Sequence, residues 1–379
     1  MLVGVDASRV TRAQRTGTEN YSLNVLRELL ADDERNAYRL YLSQPLPDGL
    51  LPLRPRTTTR LIRLPRLWTQ VGLSTEMLVS PPDVLFVPSH VLPILTPARS
   101  VVVVYDVGHR FFPRAHGIFE WLYVEWAIRR HVRIATRLLT ISEMSKRDLV
   151  RLYGADPARI DVAYPAVDPR FKPASRAEID RVRARHCLNS RYVLHLGTIK
   201  PRKNLPRLIR AFAEAQLPSD TQLVLGGMAT SGARGVEQAI GQNRLQDRVK
   251  RLTYVPDDDL AGLYSGAACV AIVSLYEGFG MPALEALACG APLVASNRGS
   301  LPEIVGNDGM VVDPLDVTSI AEGLSRAVNN QAALAAAGPA RAAEFTWSAA
   351  ARVTRTALER AFRSPAGRPP RGPTPSAAS

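Results

Sequence analysis

Ser274-Leu-Tyr-Glu-Gly-Phe-Gly-Met-Pro-Ala-Leu-Glu-Ala-Leu-Ala-Cys-Gly-Ala-Pro-Leu-Val-Ala-Ser296 joins the end of an apolar run to a glycine-punctuated loop and then to a helix start. The run from Cys269 to Leu275 has the unbroken apolar character of a strand buried on both faces of a parallel sheet. Pro282 suits the first helical position, where its missing N–H costs nothing. The loop from Glu277 to Met281 therefore ends at a helix N-terminus, whose amides and dipole favour an anion. Gly278 and Gly280, on either side of Phe279, leave room for a phosphate to approach the backbone. The ligand expected here is anionic, most simply a diphosphate.

Two carboxylates, Glu277 and Glu285, stand in the same segment, and beside a phosphate each needs another partner. An ionised carboxylate only accepts hydrogen bonds and can take two O–H groups from a vicinal diol, which a ribose or a hexose supplies. Glu277, seven intervening residues and Glu285, set in EGFGMPALEALACGAPLVAS, resemble the signature of the family-4 retaining glycosyltransferases. That resemblance implies an α/β protein of GT-B architecture, two Rossmann-like domains whose parallel sheets face each other across a cleft. It implies that Glu277 meets the donor hexose, that Glu285 meets the ribose, and that Gly278, Phe279, Gly280 and Met281 line the diphosphate.

The resemblance extends over nearly the whole chain. Leu194-His-Leu-Gly-Thr-Ile-Lys-Pro-Arg-Lys-Asn-Leu205 is similar to the strand, loop and helix that open the family's nucleotide-binding domain. By similarity Gly197, Arg202 and Lys203 meet the donor diphosphate, and two cations beside a glycine turn suit that task chemically. Near the N-terminus Val3-Gly-Val-Asp-Ala-Ser-Arg9, followed by Thr16-Gly-Thr-Glu-Asn-Tyr21, resembles the first strand and glycine loop, which places Gly17 by the phosphates. Many relatives carry His-Asp at the end of the strand that reads Val101 to Tyr105 and then Asp106. Here Tyr105 stands in the histidine's place. Either its phenol substitutes or His109 on the same loop reaches in, and Asp106 is the first candidate for an acceptor contact.

Composition bounds the remaining readings. A chain of 379 residues can bury two cores of ordinary size. Three cysteines, Cys187, Cys269 and Cys289, cannot all pair, and neither a disulfide framework nor zinc spacing is present, which points to a reducing cytoplasm. Leu2 already begins a strand, so no signal peptide is expected, and no apolar run is long enough to span a bilayer. The formal charge is +13, heavier in the N-terminal half. The most suggestive element of that half is Phe119-Glu-Trp-Leu-Tyr-Val-Glu-Trp-Ala-Ile-Arg-Arg-His-Val-Arg-Ile-Ala-Thr-Arg137, which reads as an amphipathic helix with aromatics and Arg129, Arg130, Arg133 and Arg137. Such a helix can lie on an anionic membrane surface, and it can equally be a packed helix with a solvated basic edge. Nucleic acid is not expected as a partner, because the arginines are scattered and no recognised module is present.

Strands alternate with helices from Leu2 onward, the pattern of a mostly parallel sheet, and a second alternation starts at Tyr192. The proline-rich segment Tyr164 to Pro173 between them reads as the connection. With the roles that the family resemblance implies, the expected organisation is an acceptor-binding domain over 1–168, a nucleotide-sugar domain over 169–346 and a helix over 347–362 crossing back to the first domain; composition adds a disordered tail over 363–379. Asp257-Asp-Asp259 reads as a helix cap rather than a metal site, and His195 as a residue beside the core. His90 and His116 have weak claims to a site.

The reaction implied is transfer of a hexose, best guess mannose, from a nucleotide diphosphate sugar to a hydroxyl of a saccharide or lipid-linked saccharide. GDP-mannose is the leading donor and UDP-glucose the other. Glu277, Asp106, Arg202 and Lys203 are the catalytic candidates. Cations and a helix N-terminus can neutralise the leaving diphosphate, so neither a metal nor another cofactor is expected. The rivals are a nucleotide-sugar 2-epimerase of related fold and a sugar-binding protein without turnover. Against the epimerase, the chain offers the paired-glutamate loop typical of transfer. A cytoplasmic location, peripheral at the inner membrane face, follows from these readings.

Overall fold

The computed structural model describes residues 1–12, 16–89, 91–115, 117–228 and 232–365. These form two compact units. Unit 1 comprises Met1–His109, His116–Pro165 and the chain from Thr346 on, and unit 2 comprises Arg110–Ala115 and Ala166–Phe345. His90, His116 and residues 366–379 of the expected tail lie outside the described residues.

Unit 1 is built on a seven-stranded sheet. Its strands are β1 (Leu2–Asp6), β2 (Ala37–Leu42), β3 (Thr57–Leu61), β4 (Val84–Val87), β5 (Ser100–Val103), β6 (Arg137–Thr140) and β7 (Ile160–Val162), in the spatial order β3-β2-β1-β4-β5-β6-β7. Every pairing is parallel, as the alternation of strands and helices predicts. The central strands β4 and β5 are buried along their whole length, which is why they read as continuous apolar runs. The helix Trp347–Arg363 closes this unit. It packs along the helix Gly17–Asp32 and against β4 to β7. Trp347 meets Tyr21 edge-on at 5.8 Å, Arg360 pairs with Asp161 at 3.2 Å, and Arg99 donates to the Ser364 carbonyl at 3.0 Å.

Unit 2 holds a six-stranded, wholly parallel sheet. The strands are β8 (Tyr192–Leu196), β9 (Gln222–Gly226), β10 (Val249–Leu252), β11 (Cys269–Ile272), β12 (Leu293–Ser296) and β13 (Met310–Val312), in the order β10-β9-β8-β11-β12-β13. Direction of travel across the sheet reverses between β8 and β11, and ligands of such sheets bind outside the carboxyl ends of the strands at that switch. The apolar run expected to remain strand through Leu275 stops pairing at Ile272. Beyond it the backbone turns to another partner: the Val273 carbonyl accepts from Asn204 Nδ2 at 3.1 Å, and the Leu275 amide donates to the Arg202 carbonyl at 2.8 Å. The strand end is thereby tied to the turn that carries Arg202 and Lys203.

Candidate active site

Three loops meet at the β8/β11 switch of unit 2. After β8 the chain passes through Gly197 into a short 3-10 turn, Pro201–Lys203. Asn204 then takes a left-handed conformation and starts the helix Leu205–Glu214. Its buried side chain donates to the carbonyls of Val273 and Pro314, so the turn is clamped to the ends of β11 and β13. After β11, Ser274 to Gly280 leads into the helix Met281–Ala288, which begins one residue before Pro282, so that the proline is the second helical residue rather than the first and its missing N–H is still one of the unpaired amides of the first turn. Gly280 supplies the backbone conformation at this helix start, φ +101°, where a side chain would be strained.

The third loop follows β12, and sequence reasoning gave it no role. A Cβ on Gly299 would fall 2.7 Å from the Glu277 backbone, so only glycine permits this approach. Next to it, buried Ser300 donates through its hydroxyl to the Phe279 carbonyl at 2.6 Å, with the Glu277 carbonyl at 3.0 Å. The glutamate loop is therefore braced from behind. The available signal was the pair Gly299-Ser300 directly after an apolar strand.

Glu277 is the centre of the site. It is 5% exposed, and its carboxylate accepts from Lys203 Nζ at 2.6 Å, Ser274 Oγ at 2.6 Å and Arg202 Nη1 at 3.0 Å. Burial works to raise its pKa, but Lys203 and Arg202 outweigh burial and hold the carboxyl below the usual range. Lys203 is itself buried, while Arg202 keeps a third of its side chain in solvent. His195 lies beneath this group, with Nδ1 2.9 Å from the Ala271 carbonyl. Burial, reinforced by Lys203, pushes it down to about 4 and keeps it neutral.

Glu285 sits one helical turn into Met281–Ala288, half-buried, and accepts from the Tyr264 hydroxyl at 2.8 Å. Burial pushes its carboxyl up to about 7, against the hydrogen bond from Tyr264 and the charge of Arg170. The two glutamates thus differ in kind: one is a charge locked between cations, the other a carboxyl poised near neutrality. Neither Ser274 nor Tyr264 was singled out from the sequence.

Asp257-Asp-Asp259 does not cap its helix through a side chain, since Pro256 occupies the N-cap. Asp259 is buried and bonds Arg181, His186 and Arg185, fastening the helix Arg176–His186 to Asp257–Ser265. Among the described residues no group of three or more His, Cys, Asp or Glu is gathered to hold a metal.

In unit 1, Tyr105 and Asp106 follow β5, and Gly17 opens the helix after β1. A Cβ on Gly17 would meet nothing within 4 Å, so packing within the unit does not demand glycine there. The Tyr105 phenol donates to the Pro88 carbonyl at 2.6 Å, and its ring stands edge-on to Tyr21. Asp106 accepts from the Gly108 amide at 2.7 Å. His109 is buried, with Nε2 3.1 Å from Glu125 Oε2 and 3.2 Å from the Tyr153 hydroxyl.

The basic helix runs from Ile118 to Ile134, and its aromatic residues turn outward rather than into the core. Phe119 is 84% exposed, and Leu122, Tyr123 and Trp126 are about half exposed. Of the expected basic edge, Arg130 is spent on the fold, donating to the carbonyls of Leu92, Pro93 and Ile94, and Arg129 pairs with Glu125 at 2.7 Å. No helix among the described residues is long and apolar enough to cross a membrane.

The family model of glycosyl transferases group 1 matches residues 177–343, and that of Glycosyltransferase Family 4 matches residues 16–171. The O-antigen chain mannosyltransferase B of Escherichia coli is 34% identical over 258 residues, covering 66% of this chain and 67% of that protein. The D-inositol 3-phosphate glycosyltransferase of Mycolicibacterium smegmatis is 37% identical over 226 residues, 56% of this chain, and the chain spans about half of its length, 50%. Among solved structures, sucrose-phosphate synthase from Thermosynechococcus elongatus superposes with a TM-score of 0.71 at 19% identity, covering 95% of this chain and 99% of that one. HepE of Anabaena, solved with UDP and glucose, gives 0.70 at 18% identity over 95% and 99%. These likenesses show a shared fold of two Rossmann-like units. With two matched models dividing the chain between them and a mannosyltransferase relative aligned over two thirds of its own length, this protein belongs to the family-4, group 1 glycosyltransferases of GT-B fold.

Proposed function

We propose that the chain is a retaining hexosyltransferase that takes mannose from GDP-mannose and delivers it to a hydroxyl of a saccharide or lipid-linked saccharide. The observation that carries this reading is the buried Glu277 carboxylate held by Lys203 and Arg202 at the β8/β11 switch. Unit 2 takes the nucleotide sugar: Glu285 accepts from the ribose, Glu277 from the hexose, and the turn from Gly278 to Met281 lies along the diphosphate with Gly197 opposite. When the hexose hydroxyls engage Glu277, Lys203 and Arg202 are released toward the diphosphate. The bond from the anomeric carbon to the β-phosphate oxygen lengthens, and the electron pair stays on the diphosphate, where the two cations stabilise it. The acceptor oxygen bonds to the anomeric carbon from the same face, and its proton passes to the departing phosphate. Asp106 in unit 1 serves the acceptor, and Lys203 and Arg202 supply the positive charge that a metal could otherwise bring to the diphosphate.

Names of relatives support mannose: one is an O-antigen chain mannosyltransferase, and another, from Mycolicibacterium hassiacum, is an MMP α-(1→4)-mannosyltransferase 32% identical over 242 residues. The outward apolar face at Phe119, Leu122 and Trp126, with Arg133 exposed further along the helix, suits peripheral docking on an anionic bilayer. The deciding experiment incubates the protein with GDP-mannose or UDP-glucose, with and without saccharide acceptors and with chelator. Release of GDP that depends on acceptor and survives chelation is expected. Release from UDP-glucose alone would move the donor assignment, a C2 epimer would replace transfer by epimerisation, and binding without any product would leave a sugar-binding protein.

A further inference from the structure

Tyr264 enters the donor side from the neighbouring helix Asp257–Ser265, and the reaction outlined above gives it no task. Its side chain is fully enclosed, with the ring edge-on to Phe171 at a centroid distance of 6.0 Å. Its hydroxyl donates to Glu285 Oε2 at 2.8 Å. A donor placed on one carboxylate oxygen favours the ionised form and leaves Oε1 to face a diol. The charges around the pair are otherwise mixed. Arg170 favours ionisation of Glu285, and Asp168 and Asp257 oppose it. Arg170 is itself shared between those two acids, at 3.1 Å and 2.6 Å. Cys289, at the end of the Glu285 helix, stays a neutral thiol, pushed up to about 12 by burial and by Glu285.

We propose that Tyr264 is a positioning residue for the donor: its hydroxyl orients Glu285 toward the ribose and favours its ionised form, and so lowers the pH above which the nucleotide sugar binds well. This rests on the reading of Glu285 as the ribose contact. A protonated Glu285 turns one oxygen into a donor and loses half its capacity to accept from a diol. Donor affinity is therefore weak below the Glu285 titration, rises through it and levels off above, and burial places that rise near pH 7.

Tyr264→Phe keeps the ring and its packing and removes only the hydroxyl. Glutamate side chains labelled with carbon-13 in the full chain, with Glu285→Gln to assign the signal, report the Glu285 titration without any nucleotide. Calorimetry with GDP-mannose and UDP-glucose from about pH 6 to about pH 8.5 reports donor affinity. In the variant the carboxyl should titrate at higher pH, and the donor should bind about five- to tenfold more weakly at pH 7, with the gap closing toward the alkaline end. An unchanged Glu285 titration, or a loss of affinity that is constant across pH, overturns the proposal and leaves Tyr264 a packing residue. If wild-type protein binds neither nucleotide sugar, the ribose reading fails, while the labelled carboxyl still decides whether Tyr264 controls its proton.

Discussion

The carboxyl ends of the two sheets are furnished in opposite ways. At the switch of unit 2, between β8 and β11, Lys203, Arg202, Ser274 and Glu277 spend their bonding capacity on one another inside a buried cluster. In unit 1, Asp6 at the end of β1 and Tyr105 and Asp106 after β5 are held instead by loop groups: Tyr105 by the Pro88 carbonyl, Asp106 by the Gly108 amide, and Asp6 by the Ser8 amide at 3.1 Å and the Ser8 hydroxyl at 2.6 Å. An ion cluster can be opened by any ligand that offers its members better partners, whereas side chains bonded to their own loop shape a wall. The first arrangement stores charge for use, and the second fixes a surface. Substitutions in unit 2 should therefore disturb fold and ligand together, and substitutions in unit 1 should separate the two.

The largest effect is expected from Lys203→Ala. A loop position alone suggests a tolerant site, but Lys203 Nζ is buried 2.6 Å from Glu277. Removing one partner of such a pair costs about 3–5 kcal/mol, so denaturant midpoint and donor affinity should fall together. An unchanged midpoint would mean that the cluster is no tighter than the wall. Glu277→Gln should lower turnover roughly a hundredfold, measured as acceptor-dependent nucleotide release. A drop confined to donor affinity would take Glu277 away from the hexose.

A buried acid outside the site sharpens the contrast. Burial works to raise the pKa of Asp259, but Arg181, His186 and Arg185 outweigh it and hold the carboxyl below its ordinary value. Such a group contributes stability that is fully present above its unfolded pKa, about 3.9, and is lost as pH falls through the lower folded value. Asp259→Asn should therefore lower Tm at neutral pH, and its deficit should shrink as acid is added below about pH 4. A deficit that stays constant down to about pH 3 would assign it to packing. Tyr105→Phe should cost about 1 kcal/mol, one neutral hydrogen bond, with turnover intact. A large loss of turnover would give the phenol a role at the acceptor. Smallest of all, replacing Phe119 and Trp126 with serine should leave stability within about 0.5 kcal/mol. The same variant should abolish pelleting with phosphatidylglycerol vesicles, and unchanged pelleting would remove this face from membrane contact.

Much of the architecture was legible because it rests on local signals. Buried parallel strands announce themselves as runs such as Val101 to Val103, and Pro282 with Gly280 marks a helix start. Glu277 and Glu285 could be singled out by spacing, but their opposite electrostatic states could not. Those states depend on Lys203, 74 residues away in sequence, and on Tyr264, 21 residues away. The brace from Gly299 and Ser300 was hidden for the same reason, since its partners are backbone carbonyls that no pattern reveals. The basic helix was legible as two-faced, but amphipathicity does not say which of its arginines the fold itself uses. Arg130 turned out to be a loop clamp, and the aromatics faced out.

The helix Trp347–Arg363, which closes unit 1 against Gly17–Asp32 and β4 to β7, is separated from the rest of that unit by all of Ala166–Phe345. A ribosome adding about 5–20 residues per second needs roughly ten to forty seconds to make the intervening stretch. Throughout that interval the nascent first unit exposes the surface that Trp347 and its neighbours will cover. Vectorial folding from the N-terminus therefore reverses here: unit 2 is the first to have its whole sequence outside the tunnel, and the earlier-made unit is completed last. A chain halted before residue 347 would carry an intact unit 2 and a unit 1 with an open apolar face, a natural target for chaperones.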